Sequence, residues 1–265
     1  MSMPRFITVP TLILVFTAVV TAQQIVPILD KSRNPDPPPV NPDKWQFQFI
    51  PYLWVAGING RAGIGNLAVD VDAAITDPDV DLNFGFMASF EARKNKFVIL
   101  TDLQYSNIGA ERATPGSLFS DARAEFKTFV LDPEVGYRIV DNQEKGAFVD
   151  VLGGIRYWHL ESEITFDTGL LTATTRTNSR AWVDGVAGIR ARTNLTNRLF
   201  VIGKFDLGGG GSNFSYQLFG GAGVLVGKRY ALIAGYRDLD VNYNKDGLLF
   251  DNALHGPIFG FRIKF

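Results

Sequence analysis

The sequence predicts an all-β chain: a closed antiparallel transmembrane β-barrel of ten strands, with eight or twelve as the alternative counts. Three observations predict it. The chain ends Gly256-Pro257-Ile258-Phe259-Gly260-Phe261-Arg262-Ile263-Lys264-Phe265. Pro257, Phe259, Phe261, Ile263 and Phe265 form one apolar face at period 2, and Gly256, Ile258, Gly260, Arg262 and Lys264 form the other. In a membrane barrel the first face meets lipid and the second meets the lumen. Aromatics make up 12% of the chain and glycines number 27, which suits many strands joined by tight turns better than a helical bundle. The links between alternating segments are themselves alternately short and long, as barrel turns and loops are.

Residues 1–22 read as a secretory signal peptide. Arg5 supplies the early positive charge, Phe6 to Val20 the apolar stretch, and Val20-Thr21-Ala22 the small residues before a cut after Ala22. An N-terminal membrane anchor is the alternative, but Pro10 and several threonines interrupt a run that is already short. Residues 23–43 form a Pro-rich tail, in which Asn34-Pro35-Asp36-Pro37-Pro38-Pro39-Val40-Asn41-Pro42-Asp43 lacks the donors for helix or sheet. It is expected to be an extended periplasmic linker. The barrel is expected over residues 44–265. No cysteine occurs, which excludes lipoprotein processing and disulfides. The chain carries 26 basic and 27 acidic residues, a balance that gives no reason to expect nucleic acid as a partner.

Ten segments alternate in order. Trp45 to Val55 sets Phe47, Phe49, Leu53 and Val55 against Gln46, Gln48, Tyr52 and Trp54. Leu82 to Glu91 sets Phe84, Phe86, Ala88 and Phe90 against Gly85, Met87, Ser89 and Glu91. Phe97, Ile99, Thr101, Leu103 and Tyr105 oppose Asp102, Gln104 and Ser106. Phe129, Leu131, Pro133, Val135, Tyr137 and Ile139 oppose Asp132, Glu134, Gly136 and Arg138. Val149, Val151, Gly153, Ile155 and Tyr157 oppose Asp150, Gly154, Arg156 and Trp158. Ala181, Val183, Ala187, Ile189 and Ala191 oppose Arg180, Trp182, Asp184, Arg190 and Arg192. Leu199, Val201, Phe205 and Leu207 oppose Lys204 and Asp206. Tyr216, Leu218, Ala222, Val224 and Val226 oppose Gln217, Gly221 and Gly223. Tyr230, Leu232, Ala234 and Tyr236 oppose Gly235 and Arg237, and the terminal strand is the tenth.

Lys94–Lys96, Asp141–Lys145, Thr193–Asn197 and Gly227–Arg229 are short polar turns, expected in the periplasm. Ala56–Asp81, Asn107–Ala122, Leu160–Ser179 and Asn244–Leu249 are longer links, with a compact Gly208–Ser212, all expected outside the cell. Arg61–Asp72 contains a further hairpin pattern around Gly65-Asn66, which is why the count stays open. The sheet must close, because an unpaired amide in hydrocarbon costs several kcal/mol, roughly. A soluble barrel would also alternate, but with a polar outward face.

The chain resembles bacterial outer-membrane β-barrel proteins, broadly of the outer membrane protein W or outer membrane protein A barrel type. The matching residues are Pro51-Tyr52-Leu53-Trp54 with Gly57 and Gly60, Phe84-Gly85-Phe86-Met87 running to Glu91-Ala92-Arg93-Lys94, Gly235-Tyr236-Arg237, and Gly260 to Phe265. The resemblance spans about residues 45 to 265. It implies residence in the outer membrane, outer-membrane lipid and the barrel assembly machinery as partners, and Phe261, Ile263 and Phe265 as the assembly signal. It implies no particular activity.

The lumen face holds acids Glu91, Asp102, Glu134, Asp150, Asp184 and Asp206. It also holds bases Arg93, Arg138, Arg156, Arg180, Arg190, Arg192, Lys204, Arg237, Arg262 and Lys264. Two readings follow: a network of ion pairs filling a narrow barrel, or a narrow channel for small solutes that weakly favours anions. Tyr52, Trp54, Trp158, Trp182 and Phe219 share the lumen parity and are expected at the barrel mouth, as a plug or as a pocket for a surface ligand. Tyr105, Tyr137, Tyr157, Tyr230 and Tyr236 have the outward parity of interfacial girdles. A surface adhesin or receptor is therefore the alternative function. Catalysis is not expected. Neither His159 nor His255 has an aspartate two residues before it, and His159-Leu160-Glu161-Ser162 lacks the close His–Ser spacing of barrel deacylases. Asp70, Asp72, Asp77, Asp79 and Asp81 read as a solvated acidic loop rather than a calcium site, since the spacing lacks the glycine and terminal glutamate of an EF-hand. No metal or cofactor is expected, and the barrel is expected to be a monomer.

Overall fold

A computed structural model of the chain describes residues 43–64, 67–74, 80–113, 119–168 and 174–265. The signal segment and nearly all of the Pro-rich tail lie outside the described residues. Twelve strands are present: β1 (Gln46–Trp54), β2 (Gly57–Ile64), β3 (Leu67–Ala74), β4 (Val80–Lys94), β5 (Phe97–Ala113), β6 (Phe119–Asn142), β7 (Ala147–Thr168), β8 (Thr174–Asn194), β9 (Leu199–Gly210), β10 (Phe214–Val226), β11 (Tyr230–Lys245) and β12 (Leu248–Lys264). Ten of them close a barrel in the order β1-β4-β5-β6-β7-β8-β9-β10-β11-β12, with β12 returning to β1. All neighbours are antiparallel. At the seam Phe265 N–H donates to Phe47 O at 2.9 Å and Val55 N–H to Pro257 O at 3.0 Å.

β1 and β2 share one register on β12, from Gln48↔Lys264 to Ile64↔Leu248. The chain then turns back as β3, so the hairpin pattern in Arg61–Asp72 is real and sits on the upper half of β12. By contrast β1 pairs with β4 only from Gln46↔Arg93 to Pro51↔Ala88. Two prolines interrupt the wall because they cannot donate. The β1–β12 ladder skips Ile50 and Pro51, and the β6–β7 ladder skips Asp132 and Pro133.

The barrel has a turn end and a hairpin end. At the turn end, β4 and β5 meet through Asn95, held at φ 53°. At the hairpin end the strands run further than the alternation alone suggested. The links Asn107–Ala122 and Leu160–Ser179 are largely strand, and β6 reaches 24 residues. Asn244–Leu249 is not a loop. Asp246 and Gly247, at φ 53° and 75°, form a two-residue turn that carries the ladder from Lys245↔Leu248 to the base.

Around the outside runs an exposed apolar belt that includes Leu53, Phe86, Val135, Ile155, Val183, Ile189, Phe205, Leu232 and Phe259. Tyr137 and Tyr230 mark its turn end, while Tyr105, Tyr157 and Tyr236 mark the other. A belt of this extent on all sides is matched to hydrocarbon, not to water. Above it the outward positions turn polar, with Lys127 and Glu161 paired at 2.7 Å.

Candidate functional site

The interior is where this sequence spends its charge. Every strand presents alternate residues inward, so the barrel wall collects them in three layers.

Nearest the turn end, Arg138 grips Asp150 with two bonds, Nε to Oδ1 at 2.7 Å and Nη2 to Oδ2 at 3.1 Å. Arg190 bridges Asp150 (2.7 Å) and Glu91 (2.6 Å), and Gln48 also donates to Glu91 at 2.7 Å. The Arg138 guanidinium lies 3.8 Å from the Phe148 ring centre.

In the middle, Lys204 meets Glu134 at 2.6 Å and Asp206 at 3.3 Å. Arg156 joins Asp206 (2.9 Å) to Asp132 (2.8 Å), and Gln217 donates to Asp206 at 3.0 Å. Asp132 escaped the sequence count of lumen acids although its parity was legible. It stands directly across the ladder from Asp102, and two like charges so placed repel. Each has its own arginine. Arg237 reaches Asp102 at 3.3 Å, and Tyr52 donates its hydroxyl to the same carboxylate at 2.7 Å. A cavity of about 100 Å³ remains beside these groups, lined by Tyr52, Asp102, Lys204, Gln217, Phe219 and Ile258 among others.

The third layer closes the hairpin side. Trp158 and Trp182, opposite each other in register, stack at 5.6 Å, and Tyr243 stacks on Trp182 at 4.3 Å. Trp54, Val130, Leu239, Val241 and Ile258 pack around them.

All eleven residues of the expected charge network are buried, but two are not in it. Asp184 accepts from Ser212 N–H (2.6 Å), Ser212 Oγ (2.9 Å) and Ser215 Oγ (3.4 Å), so it holds the β9–β10 link rather than a base. Arg262 forms no ion pair among the described residues. The aromatic mouth divides likewise. Trp54, Trp158 and Trp182 form the plug. The Tyr52 hydroxyl belongs to the polar layer below, because it lies two residues nearer the turn end than Trp54. Phe219 packs against Gly221 and Gly235, where an added Cβ would come within 3.0 Å and 2.7 Å of its ring. Phe261 and Ile263 take the outward positions of β12, and Phe265 follows directly after its last residue.

Charge is segregated along the axis. Buried acids are Glu91, Asp102, Asp132, Glu134, Asp150, Asp184 and Asp206; buried bases are Arg138, Arg156, Arg190, Lys204, Arg237 and Arg262. That is seven against six. Of the other bases expected for the lumen, Arg93, Arg192 and Lys264 gather at the turn-end mouth beside Arg262. Arg180 is half-exposed at the hairpin end and donates to Ser179 O at 2.9 Å. His159 and His255 have outward parity, away from the interior. Asp70 pairs with Arg61 at 3.7 Å in water; Asp72 is exposed, and the side chains of Asp77, Asp79 and Asp81 lie outside the described residues.

No protein-family model matches the chain, and no curated protein matches it. Solved structures do. The outer membrane protease OmpT from Escherichia coli superposes with a TM-score of 0.51 at 9% identity, covering 85% of this chain and 98% of that one. Ail, the attachment invasion locus protein of Yersinia pestis, gives 0.40 at 14% identity, over 83% of this chain and 98% of its own. The translocator domain of the autotransporter NalP from Neisseria meningitidis gives 0.45 at 12%, over 96% and 97%. At these identities the likeness is one of fold: a closed antiparallel barrel of the kind bacterial outer-membrane proteins adopt.

Proposed function

We propose that the chain is a monomeric integral barrel of the bacterial outer membrane, turn end in the periplasm, whose interior is a structural core rather than an open pore. The observation that carries this reading is the column formed by Arg156 with Asp132 and Asp206 beneath Trp158. All four side chains have no exposed surface. A solute moving along the axis would have to displace a doubly paired arginine and a stacked indole together. The weakly anion-favouring channel finds less support, because the buried interior is balanced in charge. Lipid is then the protein's solvent, and β12 its recognition strand for the assembly machinery. Catalysis is not part of this reading, since both histidines face outward, away from the interior. A second role belongs to the hairpin end, where β6, β7 and β8 rise beyond the belt and offer a surface to ligands outside the cell.

The test is electrical. Purified protein in planar bilayers is expected to give no steady conductance. Steady single-channel steps with anion preference would overturn the sealed core and restore the channel.

A further inference from the structure

The turn-end mouth holds more positive charge than its acids can answer. Arg93, Arg138, Arg190, Arg192, Arg262 and Lys264 converge there, against Glu91, Asp141 and Asp150. Arg138 and Arg190 use Asp150 and Glu91. Arg93 has Asp141 at a loose 3.8 Å, with Gln46 Oε1 at 2.7 Å and Asn95 O at 3.1 Å. Three cations remain. Among the described residues Arg192 donates to the Asn194 amide oxygen, at 2.9 Å, and pairs with no carboxylate. Lys264 and Arg262 have no carboxylate partner among the described residues.

These groups are gathered, not scattered. Lys264 is within electrostatic range of the like charges Arg262, Arg93 and Arg192 and of one acid, Glu91, which Arg190 already uses. The guanidinium carbons of Arg192 and Arg262 lie 4.1 Å and 5.4 Å from the centre of one ring, that of Phe200. Phe200 is itself buried and offers both a π face, which offsets part of the repulsion. Arg262 is 8% exposed, yet its Nε has no acceptor, and neither has Nε of Arg192. A buried guanidinium N–H without an acceptor is costly, and like charges close together repel in a medium of low dielectric. A multiply charged oxyanion would answer both, since guanidinium forks match its oxygens in pairs.

We propose that the turn-end mouth is a binding site for a phosphate-class oxyanion, held by Arg192, Arg262 and Lys264, with Arg93 at its rim. The site opens toward the periplasm on the orientation given above. It lies below the ion-paired layers and stands whether or not the core conducts. Phosphate is favoured over a single carboxylate because three bases exceed the acids present.

The experiment uses the refolded full-length barrel in a phosphate-free detergent, titrated with inorganic phosphate and separately with glycerol phosphate. Chloride at equal ionic strength is the control. Wild type is expected to bind phosphate saturably. Arg262→Gln and Arg192→Gln are expected to bind roughly tenfold more weakly, the loss of one charge-assisted contact. Without phosphate at low salt, Arg262→Gln is expected to unfold at the same or higher urea concentration, because it removes a repelling charge. A structural arginine would behave in the opposite way. If Arg262→Gln does not fold, Lys264→Gln at the mouth carries the same comparison. Binding of both ligands assigns the site to the phosphate group of a larger molecule, and binding of inorganic phosphate alone assigns it to the free anion. Absence of saturable binding, equal affinity in the variants, or a loss of anion-free stability in Arg262→Gln would overturn the proposal.

Discussion

Asp102 and Asp132 face one another across β5 and β6, two carboxylates in direct register. Arg237 and Arg156 make that tolerable from opposite sides of the lumen. Removing one partner of a dry pair leaves the other charge uncompensated, which costs far more than the pair contributes. Arg156→Ala is therefore expected to destabilise the barrel by ~3–5 kcal/mol, read as the shift in urea unfolding of protein inserted in lipid vesicles. Asp184→Ala should cost less, ~1–3 kcal/mol, because it strands a serine amide and two hydroxyls rather than a cation. An order of effects in which Asp184→Ala is the more damaging would mean that Arg156 has access to water.

At the scale of the element, β11 shows where sequence reading stopped and why. Up to Tyr236 the outward residues Tyr230, Leu232, Ala234 and Tyr236 are apolar, and Ala231, Ile233, Gly235 and Arg237 take the inward positions, so the period is plain. Beyond the belt the pattern inverts. Asp238, Asp240 and Asn242 take the outward positions, Asp238 accepting from the Tyr216 hydroxyl at 3.2 Å, while Leu239, Val241 and Tyr243 face inward and complete the plug. A search for apolar-outward alternation ends the strand at Arg237, although the Asp246-Gly247 dipeptide was a legible hairpin signal. The strand faces that meet lipid were readable because lipid imposes one sign on every strand. Which acid meets which base was not, since Arg237 and Asp102 lie 135 residues apart and their meeting depends on the stagger of the whole sheet. Gly247→Ala, forced to hold φ 75°, should cost about 1 kcal/mol. Hydrogen exchange should quicken at Lys245 and Leu248 and stay slow at Arg237 and Gly256. The other end of β12 supports a different expectation. Deleting Phe265 removes the 2.9 Å bond to Phe47 O that closes the barrel, and should lower the membrane-inserted fraction far more than Lys264→Gln. Equal losses would deny β12 its part in assembly.

For the whole molecule, the prediction is one of direction. The chain has no cysteine of its own, so single introduced thiols report position cleanly. Thr177→Cys on the tall β7–β8 hairpin should react with an impermeant maleimide on intact cells. Asn142→Cys at the turn end should react only after the outer membrane is permeabilised. Reversed labelling would invert the barrel and move the basic mouth to the cell surface. The rim itself is uneven. β9 and β10 are joined low, by Gly211 to Asn213, whereas β8 stands high beside β9, with β6 and β7 beyond it, and β3 ends the sheet with β2 as its one hydrogen-bonded neighbour among the described residues. Such a free edge is a template on which an extended segment of another chain can pair, by strand addition. Asp70 and Asp72, both exposed on β3, give that edge a negative charge. Two copies meeting edge to edge would set aspartates against aspartates, and like charges so placed disfavour the pairing of one copy's edge with another's.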